Sequence, residues 1–204
     1  MTPIVIGIVG GVASGKSEVS QIMHSLGAVV VDADVEGHAV LEDKEAKSEL
    51  TAAFGREILD PEGKIDRKRL AQKAFTSDEA RNRLNGITHP RIRQRCRNAI
   101  NAAMEAAESP AVVLDISLLL EAGEEYRPDI LVFVEAGEGL RASRAVGKRG
   151  WQEGELERRQ AAQLSLDEKR KRADYVIEND GSLEDLRNRV EGFWRRHVAS
   201  DRPG

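Results

Sequence analysis

Residues 7–17 run Gly7-Ile8-Val9-Gly10-Gly11-Val12-Ala13-Ser14-Gly15-Lys16-Ser17. The spacing Gly10-x-x-x-x-Gly15-Lys16-Ser17 is that of a phosphate-binding loop. A β-branched apolar run, Pro3–Val9, precedes it. Lys16–Leu26 follows, with Val19, Ile22, Met23 and Leu26 at helical spacing. A strand before and a helix after is the context this motif needs. Each residue type also has a physical reason. Glycines let the backbone curl until its N–H groups point at phosphate oxygens, and the helix start adds a positive field. Lys16 is placed to reach β- and γ-phosphates. The Ser17 hydroxyl suits Mg²⁺, a hard cation that prefers oxygen. A nucleoside triphosphate is therefore the expected ligand of Gly11, Ala13, Ser14, Gly15, Lys16, Ser17 and Glu18.

Outward from the loop, Gly27 stops the helix. Ala28–Val31 reads as a second buried strand, ending at Asp32-Ala33-Asp34. A β–loop–α–β opening predicts an α/β protein. Ala111–Leu114, Ile130–Glu135 and Tyr175–Ile177 are further strand candidates, apolar enough for a parallel sheet covered on both faces. Residues 35–109 read as helical, with loops near Gly55–Lys64 and at His89-Pro90, where Pro90 suits the first position of a helix. Ser182 offers an N-cap to a last helix striped by Leu183, Leu186, Val190, Phe193 and Trp194. Residues 138–173 are poor in large apolar side chains and hold ten Lys/Arg, among them Arg144, Lys148 and Arg149. Such a segment cannot build its own core. It reads as a flap over a site, or as a solvated helical hairpin.

Composition bounds the function. Thirty-one Lys+Arg against 35 Asp+Glu leave a formal net charge of −4, which argues against a protein whose main partner is a nucleic-acid backbone. The single cysteine, Cys96, excludes an intrachain disulfide and any multi-cysteine metal site, and its place on an apolar stripe makes it a core residue. There is no run of 18 apolar residues and no cationic leader before an apolar stretch, so the expectation is a protein without membrane anchor, in a reducing cytoplasm.

A triphosphate site can serve several reactions. No guanine-reading Asn-Lys-x-Asp occurs, and Asp115, which ends the third strand candidate, is followed by Ile-Ser-Leu rather than a switch glycine. A small kinase remains. A kinase acting on an alcohol profits from a carboxylate that orients the hydroxyl and takes its proton. Asp32 and Asp34 stand at the C-terminal end of the second strand, the end at which open parallel sheets bind ligands. Two apart in an extended segment, they would project to one side, one toward metal and one toward the hydroxyl. The bland alternative is a turn or a helix cap, with Asp34 capping Val35–Leu41. The acceptor is expected to be anionic. Residues 81–97 hold six arginines and no acidic residue, and Lys64, Arg67, Lys68, Arg69 and Lys73 lie just upstream. Some of these flank an apolar stripe in solvent; others suit bidentate phosphate contact. His89 either donates to a phosphate or caps a turn.

Together these stretches resemble the dephospho-coenzyme A kinase family over nearly the whole length. The matching residues are Gly7–Ser17; Val31-Asp32-Ala33-Asp34 with His38; Phe54-Gly55; Gly63–Leu70, which contains Ile65-Asp66-Arg67; Leu84–Ile92, which contains His89-Pro90-Arg91-Ile92; and Val113–Glu121. Arg159–Gln163, Glu168-Lys169, Ala173-Asp174 and Val176–Gly181 complete the match. The resemblance implies a P-loop NTPase fold: a five-stranded parallel sheet flanked by helices, with a helical insertion and a helical lid. Residues 1–34, 110–137 and 174–204 would form the nucleotide-binding core, 35–109 the domain that holds dephospho-CoA, and 138–173 the lid. It implies ATP and dephospho-CoA as substrates, Mg²⁺ as cofactor, and phosphorylation of the ribose 3′-hydroxyl. It further implies no nucleic-acid or membrane partner and a monomer or weak homo-oligomer.

Residue by residue, Asp34 matches the family's catalytic base, Lys16 and Ser17 its phosphate and metal ligands, and Arg67, His89 and Arg93 its acceptor region. Arg144 matches the lid arginine that reaches the phosphates, and Asn179 and Gly181 its adenine loop. Asp32 is the further candidate metal ligand. Three positions depart from the family's usual residues. Glu18 stands for Thr, just past the metal ligand. Ser117 stands for Pro. Lys148 stands for the second lid arginine, keeping the charge without the fork, with Arg149 as a substitute one residue on. Two rivals remain: a P-loop kinase of a nucleoside or nucleotide, and a nucleotide-dependent module that holds RNA or DNA.

Overall fold

The computed structural model describes residues 2–116, 119–120, 126–149, 156, 160–161 and 163–199, with backbone alone at 148 and 149. Ser117, one of the departures above, lies outside the described residues, and so do the side chains of Lys148 and Arg149. Five strands form the sheet: β1 (Ile4–Gly10), β2 (Val29–Asp32), β3 (Ala111–Asp115), β4 (Ile130–Glu135) and β5 (Tyr175–Glu178). Their order is β2-β3-β1-β4-β5, a parallel sheet flanked by helices. The chain leaves β1 toward β2 on one side and reaches β4 and β5 on the other. That reversal at the carboxyl end of β1 is where open α/β sheets hold ligands.

The pattern of β1 explains its central place. Ile6 and Ile8 are fully buried on one face, under Val19, Ile22 and Met23 of α1 (Lys16–Ser25) and Leu186, Val190 and Phe193 of α8 (Leu183–His197). On the other face Gly7 has no room for a side chain: a Cβ there would stand 2.7 Å from Leu119 Cδ2 and 2.9 Å from Pro128 Cγ. Ser182 caps α8 as expected and forms a full capping box with Asp185. Tyr175 of β5 packs edge-to-face on His197, with centroids 5.4 Å apart.

The chain divides into two compact units: Met1–Val31 with Ile100–Gly204, and Asp32–Ala99. Residues 138–173 belong to the first. There α6 (Glu138–Arg149) and α7 (Leu166–Arg172) flank residues 150–155, which lie outside the described residues. Among its described residues, Ala145 and Leu156 join Val12 in a small buried cluster.

The second unit holds α2 (Ala33–Glu42), α3 (Lys44–Phe54), a 3₁₀ turn at Arg56–Ile58, α4 (Arg67–Ala74) and most of α5 (Asp78–Ala106). Leu50, Phe54, Ile58, Leu70 and Ala74 form its core, with Leu84 and Ile87 against them. Two local expectations are corrected here. Asp32 and Asp34 do not share an extended segment. Asp32 is the N-cap of α2 and Asp34 stands in its first turn, because the Asp32 carboxylate accepts the Asp34 and Val35 amides at 2.7 and 3.2 Å. Nor does a helix begin at His89-Pro90: α5 runs through Pro90. Packing overrides the proline. Leu84 and Ile87 are held by the core before it and Cys96 is fully buried after it. Arg91 donates from its guanidinium to the Ile87 carbonyl at 2.8 Å.

Candidate active site

The phosphate loop holds three residues with positive φ. Gly15, the N-cap of α1, has φ 95°, Ala13 has φ 61° and Gly10 has φ 153°. A Cβ on Gly10 would stand 2.5 Å from the Val134 carbonyl oxygen, and one on Gly15 would collide with Asn179 Nδ2. Glycine is thus required at both ends, for conformation and for space. The Glu18 and Val19 amides close on the Gly15 carbonyl at 3.1 and 3.2 Å; the amides ahead of them have no carbonyl within the helix, the donor pattern that suits an anion. The Lys16 ammonium folds back over the loop and donates to the Gly11 carbonyl at 3.0 Å. Ser17 is exposed in the first turn of α1, and Glu18 follows it as the acidic residue of that turn.

Two expected residues meet at this loop from far along the chain. Asn179, buried at the end of β5, donates from Nδ2 to the Ser14 carbonyl at 2.7 Å. Arg144 of α6 donates to the Ser14 carbonyl at 3.3 Å, the Asn179 carbonyl at 3.1 Å and Asn179 Oδ1 at 3.3 Å. A guanidinium is thereby fixed within one peptide of the phosphate cradle. Gly181 lies further on, and its open Cβ side accommodates the Asp185 carboxylate of the α8 cap rather than touching the loop.

Sequence reasoning left three neighbours unassigned. Asp115 ends β3, beside β1 in the sheet, and accepts from Ser20 Oγ at 2.9 Å. Its signal was present, as the acidic end of a buried strand. Arg141, 7% exposed, lies against Gly11 and donates from Nε to the Ala136 carbonyl at 3.2 Å. Gln160 accepts the Val12 amide at 3.1 Å. Nothing local in the sequence announces either contact. A cavity of about 180 Å³ adjoins the loop, walled by Gly11, Glu135, Arg141, Asp167 and Arg170 among others.

In the second unit, Asp34 is exposed in the first turn of α2. Arg67 is the exposed first residue of α4, whose N-cap Asp66 accepts the Lys68 and Arg69 amides. His89 and Arg93 lie one turn apart on the outer face of α5. Loss of water around the ring first, and the Arg93 charge second, hold the His89 imidazole below its ordinary pKa of 6.5. The arginine cluster is thinner than its composition implied. Arg81 pairs with Asp78, Arg83 with Glu79, Arg91 with Glu49 and Arg95 with Glu36, at 2.6–3.2 Å. The partners Asp78, Glu79, Glu49 and Glu36 lie outside residues 81–97, so the composition of that stretch does not contain them.

Comparison with known proteins now bears on these arrangements. The family model for dephospho-CoA kinase matches residues 4–185. The chain belongs to the dephospho-CoA kinase family. A dephospho-CoA kinase of Corynebacterium jeikeium is 41% identical over 192 residues, covering 94% of this chain and 98% of that one. The dephospho-CoA kinase of Geobacter sulfurreducens is 40% identical over 193 residues, with 94% and 98% covered. A crystal structure from Thermus thermophilus superposes with a TM-score of 0.75 at 34% identity, covering 97% of this chain and 99% of that one. Membership spans both units, so the family's fold and the loop geometry above describe one kinase chain. Among the described residues no helix is long and apolar enough to cross a membrane, and no three His, Cys, Asp or Glu side chains gather as a metal cluster.

Proposed function

We propose that this chain transfers the γ-phosphoryl group of ATP to the ribose 3′-hydroxyl of dephospho-CoA, giving coenzyme A and ADP, the final step of coenzyme A synthesis. The observation that carries the reading is the glycine-bounded loop with Arg144 and Asn179 bonded to its Ser14 carbonyl, in a chain of this family. Gly11, Ala13, Ser14, Gly15, Lys16, Ser17 and Glu18 form the triphosphate cradle. Lys16 swings from the Gly11 carbonyl to the β- and γ-oxygens, and Arg144 supplies positive charge as the equatorial oxygens become more negative. Lys148 or Arg149 adds a second cation, and Asn179 and Gly181 border the adenine. Asp34 orients the 3′-hydroxyl and accepts its proton, while Arg67, His89 and Arg93 hold the acceptor's phosphates.

The donor set fits Mg²⁺: the Ser17 hydroxyl is exposed at the loop, and Asp115 adds a carboxylate at the end of β3, with Asp32 a further candidate. When bound, Mg²⁺ neutralises triphosphate charge. The residues 138–173 act as a lid that excludes water as a competing acceptor. We place the enzyme in the reducing cytoplasm, as a monomer or weak homo-oligomer without nucleic-acid or membrane partner.

Coupled ADP release with a panel of acceptors tests this reading. Turnover is expected with dephospho-CoA and not with nucleosides or nucleotides. ADP release with a nucleoside and none with dephospho-CoA would overturn it.

A further inference from the structure

Gln160 stands in the lid segment, 148 residues from the loop peptide that it contacts. Its Oε1 accepts two donors: the Val12 amide at 3.1 Å and Arg141 NH1 at 3.4 Å. Two donors converging on one atom fix which end of the amide is oxygen, since the reversed side chain would set NH₂ against both. Arg141 is itself held by the Ala136 carbonyl and lies against Gly11, where a Cβ would approach its side chain to 3.0 Å. Below these contacts Val12 packs on Ala145 and Leu156. The outer wall of the phosphate loop is therefore clamped by a polar chain, from the end of β4 through Arg141 and Gln160 to Val12. Gln160 Nε2, by contrast, is buried with no partner among the described residues. A buried donor left unmatched lowers stability. The side chain is thus a poor choice for packing and a good one for holding the loop.

We propose that Gln160 is a positioning residue for ATP: it fixes the Val12 peptide and the Arg141 guanidinium so that the phosphate cradle is preformed before nucleotide arrives. The proposal rests on the reading of Gly11–Ser17 as the ATP cradle. Without the acceptor, the Val12 amide must find water, the loop samples other conformations, and binding has to reorder it.

Two variants test this. Gln160→Leu removes both polar ends at similar volume; Gln160→Glu keeps the acceptor oxygen. ATP dissociation constants, KM for each substrate, thermal midpoints and amide exchange of the unliganded proteins are measured. In Q160L the ATP dissociation constant and KM are expected to rise about tenfold, the worth of one buried hydrogen bond. The KM for dephospho-CoA stays at its wild-type value, the thermal midpoint does not fall, and Val12 amide exchange accelerates while that of Ile8 in β1 does not. In Q160E, Val12 exchange remains slow. Unchanged ATP binding in Q160L would overturn the proposal. So would equal rises in both KM values with a lowered midpoint, or Val12 exchange in Q160E as fast as in Q160L. Failure of the wild-type protein to bind ATP would instead sink the ATP reading itself, while the exchange comparison still reports on Gln160.

Discussion

At the residue scale, Asp34 has a side chain that stability does not require: it is exposed, and the cap of α2 belongs to Asp32. Asp34→Asn is therefore expected to fold normally and bind ATP normally, while turnover falls by about 10²-fold or more, the contribution of a positioned general base. Single-turnover kinetics with a measured ATP dissociation constant checks this, and near-normal turnover removes Asp34 from the base role. Arg144 differs because its three bonds, to Ser14 and Asn179, all fall on the loop side. Arg144→Ala should slow transfer and leave the KM for dephospho-CoA largely unchanged; a defect confined to that KM would count against the lid role. His89 gives a pH signature. Its imidazole is held below 6.5 by burial and by Arg93, so the folded chain resists the proton that the unfolded chain accepts. The stabilising contribution is present above the unfolded pKa and is lost as pH falls from about 6.5 through the lower folded value. The thermal midpoint of the wild type should accordingly drop between pH 7 and 5 by more than that of His89→Gln. Equal drops would show that the imidazole is not a source of the loss.

At the element scale, one carboxylate can be assigned two duties, and substitution separates them. Asp32 caps α2 through Oδ1. Asp32→Ala should cost about 1 kcal/mol of unfolding free energy, whereas Asp32→Asn retains an acceptor at the cap and should cost only a few tenths. The Asn variant also removes the negative charge that a cation would need. A raised Mg²⁺ requirement in Asp32→Asn at unchanged stability assigns the residue to metal; an unchanged requirement confines it to the cap. The elements also show how far local rules reach. Ser182 was legible as a cap because a capping box is complete within four residues. Asp32 was misread because a short strand running straight into a helix looks extended as far as its last residue. Pro90 was misread because the penalty of a proline inside a helix is local, while the packing of Ile87 and Cys96 that overrides it is not.

At the scale of the whole molecule, the net charge of −4 conceals segregation. The basic residues gather in 64–97 and 138–173. Part of that surplus is cancelled by carboxylates from elsewhere in the second unit, Glu49 and Glu36 against Arg91 and Arg95. Nucleotide binding to the folded state alone must raise stability. ATP at a hundred times its dissociation constant should add about 2.7 kcal/mol. A thermal-shift series in ATP checks this, and a midpoint independent of nucleotide would contradict nucleotide binding to the folded chain. The sheet core has no such dependence: Phe193, fully buried between α8 and the sheet, should cost about 3–5 kcal/mol when truncated to Ala, with or without ligand.

The sequence by itself determined the phosphate loop, the five strands to within a residue or two at each end, and the family. Those signals are short-range: alternating or continuous burial, helical spacing, and a motif complete in eight residues. The resemblance named Arg144 and Asn179 for the nucleotide site; only the tertiary structure decided which loop atoms they bond, and that Gln160 joins them. Asn179, Arg144 and Gln160 reach Ser14 and Val12 from 130 to 165 residues away. Those pairings depend on β5 lying beside β4, and β4 beside β1, in the sheet. Strand order is set by burial of the whole sheet and leaves no periodicity in any one segment, so no local reading of the chain contains it.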